Sequence, residues 1–336
     1  MHLSPSQAHA IVAKATKPQL AYAGQPLKAW QRKVRAKTAD LLEFSAIEPT
    51  PLKPKSIWTR PHPHGTVEKI SFTAEKGADV VAYWCTPSVP SRATFICLQG
   101  HGSGIYTSLG LADDEETPVA NTHDLEFANA CLSRGIAALC VEQRSFGLRR
   151  ELVQKKRSDR SCREAVVRAM MLGRVLTGER VFDVIRSVDW LLNHTDVDPE
   201  TIGILGHSGG GATAMFSFAV DERIKFGMVS AYVASFFDSV VSIGHCECNA
   251  IPGILEQIDV PDLLASCAPR SLVVVNGKDD SIFPIASAKK AVAVARKAYA
   301  AAGAKDKLKF IIGDGGHRFF EQQAWDAMLD LLPMRA

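Results

Sequence analysis

The sequence predicts an α/β fold, with a mostly parallel central sheet flanked by helices and an N-terminal helical extension. From about residue 66 onward, short apolar runs alternate with segments whose apolar residues recur at helical spacing. Several of those runs are continuously apolar, as strands buried on both faces of a sheet must be. One of them, ending at Leu205, passes through a glycine-rich turn directly into another apolar segment, a strand-turn-helix junction.

Composition bounds the rest. The chain has 336 residues, of which 46% are hydrophobic and 22% charged, enough for one large domain with a sizeable core. A formal charge of +3 is too small to imply a polyanionic partner, so no nucleic acid is expected. The eight cysteines lie partly inside apolar runs, such as Cys97, and no C-x-x-C occurs. Reduced thiols, and hence a cytoplasmic protein, are the expectation. The N-terminal residues lack the apolar stretch of a signal peptide, and no apolar run approaches the roughly 20 residues of a membrane span, so no membrane association is expected. Self-association into a homo-oligomer is compatible with these features.

Taken in order, residues 1–65 read as a helical extension followed by a proline-rich linker, and residues 66–336 as the main domain. Leu27, Trp30, Val34, Leu41 and Leu42 fall at roughly helical spacing, with basic residues on the remaining face. This part is too short for a core of its own. The prolines between Pro49 and Pro63 are expected to break regular structure. Residues 67–73 and 80–85 read as a hairpin, and 93–98 as a buried strand. Residues 125–134 form a helix closed by Gly135, followed by a strand over 136–141. A long amphipathic helix is expected over 180–194, and short strands over 202–205, 226–229 and 271–275. Helices over 286–301 and 320–332 enclose a final strand at 308–312.

The chemistry concentrates in Gly206-His207-Ser208-Gly209-Gly210, a G-x-S-x-G between an apolar strand and a helix. In that context the serine occupies a sharp, strained turn that lifts Oγ above the sheet. The glycines two residues before and after are needed because neighbouring strands and the following helix leave no room for side chains. The helix N-terminus adds a partial positive charge beneath a developing oxyanion. Downstream, the apolar run 271–275 leads into a polar turn carrying Asp279 and Asp280, and the strand ending at Ile312 leads through Gly313, Gly315 and Gly316 to His317.

Together these residues resemble the α/β-hydrolase superfamily, and more closely its dienelactone-hydrolase and acetyl-xylan-esterase-like branch. The resemblance runs from about residue 95 to about residue 320. It rests on Gly100-His101-Gly102, Glu142-Gln143-Arg144-Ser145-Phe146-Gly147, Gly178-Glu179-Arg180-Val181-Phe182-Asp183, the G-x-S-x-G, Cys267-Ala268-Pro269-Arg270 and Gly313-Asp314-Gly315-Gly316-His317. It implies an α/β-hydrolase fold and the chain order serine, acid, histidine. That order makes Ser208 the nucleophile and His317 the base. Asp280 is the preferred acid because its D-x-x-x-P spacing to Pro284 resembles the superfamily pattern, and Asp279 is the alternative. The oxyanion hole is expected to combine the backbone N–H of Gly209 with that of His101, or failing that Gly102. Dienelactone hydrolases use a cysteine where Ser208 stands, which moves the expectation toward ester hydrolysis. Gln99 stands where many relatives carry a histidine.

The implied activity is serine carboxylic-ester hydrolysis of a small or acetylated ester through an acyl-enzyme, with no cofactor and no metal. The competing readings are a single-domain peptidase of the prolyl-oligopeptidase kind and a non-catalytic binding protein on a hydrolase scaffold. His207, Phe236 and Phe237 are the candidate substrate-lining side chains. His245-Cys246-Glu247-Cys248 has soft ligands, but its C-x-C spacing and the lack of a neighbouring second pair favour an ordinary loop near the rim. The basic stretch 144–168, with Arg149, Arg150, Lys155, Lys156, Arg157, Arg160 and Arg163, reads as a solvated face or subunit contact ahead of a rim for anionic substrates.

Overall fold

The helices and strands alternate along most of the chain because each buried strand must be followed by an element that covers it. The computed structural model describes residues 3–120, 123–153, 156–157 and 161–333. Two helices come first, α1 (Pro5–Ala15) and α2 (Leu27–Leu41). Then follow β1 (Lys55–His62), β2 (Gly65–Glu75), β3 (Ala78–Pro87), β4 (Thr94–Leu98), α3 (Phe127–Ser133) and β5 (Ala137–Val141). A two-stranded hairpin, β6 (Leu152–Val153) with β7 (Lys156–Arg157), precedes α4 (Ser161–Met171) and α5 (Leu176–His194). The second half runs β8 (Ile202–His207), α6 (Gly209–Val220), β9 (Phe226–Ser230), α7 (Ile254–Gln257), α8 (Val260–Ser266), β10 (Ser271–Gly277), α9 (Ile285–Ala301), β11 (Leu308–Gly313) and α10 (Glu321–Leu329).

Nine of these strands form one sheet in the order β1-β2-β3-β5-β4-β8-β9-β10-β11. The pairings from β1 through β5 are antiparallel, and those from β5 to β11 are parallel. Successive residues of a strand face opposite sides of the sheet, and β4 shows what this does to the core. Ile96 and Leu98 join a cluster with Trp30, Val34, Val188, Phe216 and Val292, whereas Phe95 and Cys97 join one with Phe127, Cys131, Trp325 and Met328. So α2, α5, α6, α8 and α9 cover one face, and α3 and α10 cover the other.

One expectation needs correction. The proline-rich segment is not simply a breaker: residues 55–62 form β1, whose Pro61 pairs in register with Thr66. This works because β1 is the outermost strand, where a residue without an N–H leaves no ladder bond broken. The boundary at residue 65 therefore cuts through a hairpin. The N-terminal helix α2 is also integral to the main core. Trp30 and Val34 are buried in it, and Gln31 Nε2 donates to the Ser266 carbonyl at 3.1 Å. Among the described residues, no helix is long and apolar enough to cross a membrane.

Arg144 and Arg149, at the start of the basic stretch, are not a solvated face. Arg144 makes a two-pronged contact with Asp183 at 2.9 and 2.7 Å and reaches Glu75 at 2.6 Å; Arg149 reaches Asp183 at 2.7 Å. Their charges are spent inside the fold, joining the ends of β2 and β5 to α5. Arg150 and Arg163 instead line a cavity, described below with the site. Lys155 and Arg160 lie outside the described residues, as do the side chains of Lys156 and Arg157.

The start of α5 shows how closely α2 is held. A Cβ on Gly178 would sit 1.9 Å from the carbonyl oxygen of Leu42. In an exposed helix, glycine to alanine stabilises by about 0.5–1 kcal/mol. Here the sign reverses, because backbone must move. Gly178→Ala is expected to lower stability by about 1–3 kcal/mol, read from the urea unfolding midpoint; an unchanged or raised midpoint would contradict the packing of α2 on α5.

Candidate active site

The strand β8 is buried along its whole length and ends at His207. Ser208 follows with φ 55° and ψ −118°, and α6 begins at Gly209. A positive φ is uncommon for a residue with a Cβ and persists only where the surroundings hold it. Here the Ser208 N–H donates to the Ser230 carbonyl of β9 at 2.9 Å, and the Ser208 carbonyl accepts from Ala212 N–H at 2.9 Å. The glycines are there for lack of room. A Cβ on Gly206 would lie 2.1 Å from the Gly210 carbonyl oxygen, and one on Gly210 would lie 2.1 Å from the Leu98 oxygen. At Gly209 the obstruction is different: a Cβ would meet the His101 ring at 2.6 Å.

At the carboxyl end of β10 the chain turns through residues 278–280. Asp280 is 5% exposed, and its Oδ2 lies 2.8 Å from His317 Nδ1. Its Oδ1 accepts the N–H groups of Ile282 and Phe283 at 2.9 and 3.1 Å. Burial alone would raise the Asp280 carboxyl; the hydrogen bond and charge of His317, with the two backbone donors, outweigh it and hold the group below its ordinary value. Asp279, the alternative acid, has an exposed side chain. Its N–H donates to the Gly315 carbonyl at 2.9 Å, which fastens the β10 turn to the loop carrying His317. That loop passes so close that a Cβ on Gly277 would lie 2.0 Å from the Gly316 oxygen. The His317 ring then stacks at 6.0 Å on Phe283 and lies 4.8 Å from the ring of His207, the residue before Ser208.

The loop after β4 lies against the serine turn, with the Cβ position of Gly100 3.2 Å from Ser208 Cβ. It is held by residues that follow β5. Gln143 Nε2 donates to the Gln99 carbonyl at 2.6 Å while Gln143 Oε1 accepts from Thr213 Oγ1 at 2.6 Å, so one side chain ties the loop to α6. Glu142 Oε2 accepts from Ile105 N–H at 3.1 Å and from Leu148 N–H at 3.0 Å. Gln99 in turn donates to Ser108 Oγ at 2.6 Å and to the Leu125 carbonyl at 2.9 Å. Glu142 and Gln143 had stood out in the sequence only as part of a shared motif. A buried polar pair at a strand end was the signal that could have marked them as the braces of this loop.

Two side chains expected to line a pocket are placed otherwise. His207 is only 3% exposed, with Nδ1 3.1 Å from Ser230 Oγ; alternation along β8 turns it into the interior beneath His317. Phe236 is buried in the core and borders a cavity shared with His9 and Val12 of α1. Phe237 is half-buried and opens a short π-helical turn. His245 Nε2 lies 2.8 Å from Ser239 Oγ and the ring packs on Phe283. Its neighbours Cys246 and Cys248 point elsewhere, toward Cys162 and His101. These partners lie far away in sequence, so the spacing within 245–248 could not show the grouping. Cavity size does not locate the site: a cavity of about 910 Å³ lies at the amino ends of β4 and β8, opposite Ser208.

Burial, and then the nearby His317, lower the His207 pKa to about 3 from its ordinary 6.5. The folded protein therefore excludes a proton that the unfolded chain binds between those values. Its stabilising effect is complete above about pH 6.5 and is lost as pH falls toward 3. His207→Gln is expected to flatten the stability profile below pH 6 by about 1.4 kcal/mol per pH unit relative to the parent, measured by denaturant midpoints. Parallel profiles would contradict a buried neutral imidazole.

No protein-family model matches the chain. A curated relative, "Putative hydrolase YtaP" of Bacillus subtilis (strain 168), is 25% identical over 197 residues, or 57% of this chain; the match spans 62% of that protein's length. Among solved structures, a "putative acetyl xylan esterase" from Bacteroides fragilis NCTC 9343 matches with a TM-score of 0.82 at 15% identity, covering 99% of this chain and 96% of that one. A glucuronoyl esterase from Solibacter usitatus matches with a TM-score of 0.61 at 18% identity, covering 93% and 97%. Acetyl xylan esterase 1 from Thermoanaerobacterium sp. JW/SL YS485 matches with a TM-score of 0.57 at 16% identity, covering 98% and 99%. Strand order, the Ser208 turn and these matches agree that the chain has the α/β-hydrolase fold.

Proposed function

We propose that this protein is a serine carboxylic-ester hydrolase, with Ser208 as nucleophile, His317 as base and Asp280 as the acid that supports it. The observation that carries the reading is the Asp280–His317 hydrogen bond of 2.8 Å, made at the ends of β10 and β11 on the side of the sheet where β8 ends in Ser208. An aspartate kept ionised at Nδ1 fixes the imidazole tautomer, leaving Nε2 to accept the serine proton. Ser208 Oγ then attacks the ester carbonyl as that proton passes to His317. The imidazolium so formed is stabilised by Asp280 and returns the proton to the departing alcohol. Water, activated by His317 in the same way, releases the acid from Ser208. The backbone N–H groups of Gly209 and His101 are the proposed donors to the oxyanion.

The ester class is supported by the serine at position 208 and by the names of the fold's solved neighbours, acetyl xylan and glucuronoyl esterases. A small or acetylated ester is the proposed substrate. Turnover of nitrophenyl acetate against longer acyl esters and aminoacyl anilides tests this, and preference for an anilide would overturn it. Ser208→Ala is expected to lower kcat/KM by about 10³-fold or more and to abolish labelling by a fluorophosphonate probe. Undiminished turnover in that variant would remove Ser208 from the mechanism. Asp280→Asn is expected to lose about 10²–10⁴-fold, and Asp279→Asn less than about threefold; the reverse order would reassign the acid.

A further inference from the structure

Four soft ligands converge beside the serine turn, drawn from three separate parts of the chain. His101 comes from the loop after β4, Cys162 from the first turn of α4, and Cys246 and Cys248 from the loop before α7. One ligand atom from each lies within 4.8 Å of all the others, and His101 Nε2 is 3.1 Å from Cys248 Sγ. In a tetrahedral zinc site with bonds of about 2.3 Å, ligand atoms stand about 3.8 Å apart. Shifts of at most about 1 Å, the widest pairs closing and the His101–Cys248 pair opening, would bring these four to that geometry.

We propose that His101, Cys162, Cys246 and Cys248 form a Cys₃His site for a zinc-class divalent cation. Binding replaces the three thiol protons, which leave to solvent, with three metal–sulfur bonds, and the fourth bond is to the neutral imidazole. Three thiolates and one divalent cation leave a net charge of −1. The surroundings supply its counter-charge. Arg180 is 2% exposed and has no carboxylate partner among the described ion pairs; its Nη2 donates to Cys162 Sγ at 3.2 Å and its Nε to the Arg144 carbonyl at 2.9 Å. A buried guanidinium without an acid is costly, and a metal–thiolate centre is an anion suited to it. The backbone around the ligands is also held in place: Thr177 Oγ1 donates to the Cys248 carbonyl at 2.5 Å, and Asn249 Nδ2 to that of Cys246 at 3.1 Å. A cavity of about 310 Å³ lined by His101, Phe146, Arg150, Cys162, Arg163 and Cys246 offers an approach from solvent.

Four protein ligands leave no open position, so the site is structural rather than catalytic. Its reach into the active site runs through His101. The His101 ring occupies the space where Gly209 would carry a Cβ, and its backbone belongs to the loop proposed to hold the oxyanion. A metal on His101 would fix that loop through its ring, which already lies against Gly209. This consequence for turnover rests on the hydrolase reading; the metal site itself does not.

The test measures metal before activity. The full chain, produced in zinc-supplemented medium and purified under reductant without chelator, is expected to carry about one zinc per chain by elemental analysis. Replacement with cobalt(II) should give intense thiolate-to-cobalt charge-transfer absorption and the red d–d bands of a tetrahedral site. Cys248→Ala and Cys162→Ala should each lower the zinc content at least fivefold, whereas Cys267→Ala, at a buried thiol elsewhere, should not. Wild-type protein with less than about 0.1 zinc per chain after supplementation, or cobalt spectra of an octahedral oxygen site, overturns the proposal without reference to any variant's folding. So does a disulfide among the three thiols in protein kept under reductant. Loss of esterase turnover with zinc intact would count against the hydrolase reading alone, because the metal measurement would already have succeeded.

Discussion

The constraint on which the rest depends is the lack of space around Ser208. Backbone oxygens from three directions, those of Gly210, Leu98 and Ser230, approach within 2.1–2.5 Å of where a Cβ would stand on Gly206, Gly210 and Gly211. No other residue type fits, so the turn is made of glycine on both sides and the one side chain it carries projects away from the crowd. A serine held at φ 55° is strained. The strain is tolerated because β8, α6 and β9 are each buried and would have to separate to relieve it.

That crowding has to be kept in register with two loops from other strands, and the structure does so with buried polar side chains. Gln143 bridges the Gln99 carbonyl and Thr213, and Glu142 gathers N–H groups from two loops. Behind them Arg144, Arg149 and Arg174 meet Glu75, Glu179 and Asp183. Asp183 stays ionised despite burial, because Arg149 and Arg144 flank it. Removing one member would leave a buried charge unpaired. The arrangement is therefore better understood as fixing geometry than as a source of net stability.

The parallel strands were legible in the sequence because a strand buried on both faces is apolar throughout, and 271–275 or 202–205 could be little else. The Ser208 turn was legible because sterics demand glycines at fixed offsets. The choice between Asp279 and Asp280 was harder, since adjacent residues point in opposite directions and only the fold says which direction meets His317. Strand β1 was hidden by Pro54 just before it and Pro61 within it, the second of which is tolerated because β1 is the edge of the sheet. His207 was misread for a related reason: proximity to Ser208 in sequence says nothing about the face on which a strand residue lies. The thiol cluster was invisible as a whole. Cys246 and Cys248 are near neighbours, but Cys162 and His101 join them only when α4 and the β4 loop are brought together by the sheet.

His101 is where these parts meet. Its ring lies against Gly209, packs at 4.7 Å on Phe146 and reaches Cys248, while its main chain continues the loop braced by Gln143. Phe146 in turn carries the Arg180 guanidinium over its face at 4.2 Å, the same group that donates to Cys162. The residue after Ser208 is thus in contact with a chain of packed groups that ends in three sulfurs. Backbone donors can stabilise an oxyanion only if they are already aimed when charge develops. Gln143 constrains the loop through its contacts with Gln99 and Thr213, and the proposed metal would constrain it a second time through the His101 ring. A loop secured at one point alone could still pivot about Gly100 and Gly102; secured at both, its N–H groups keep one direction.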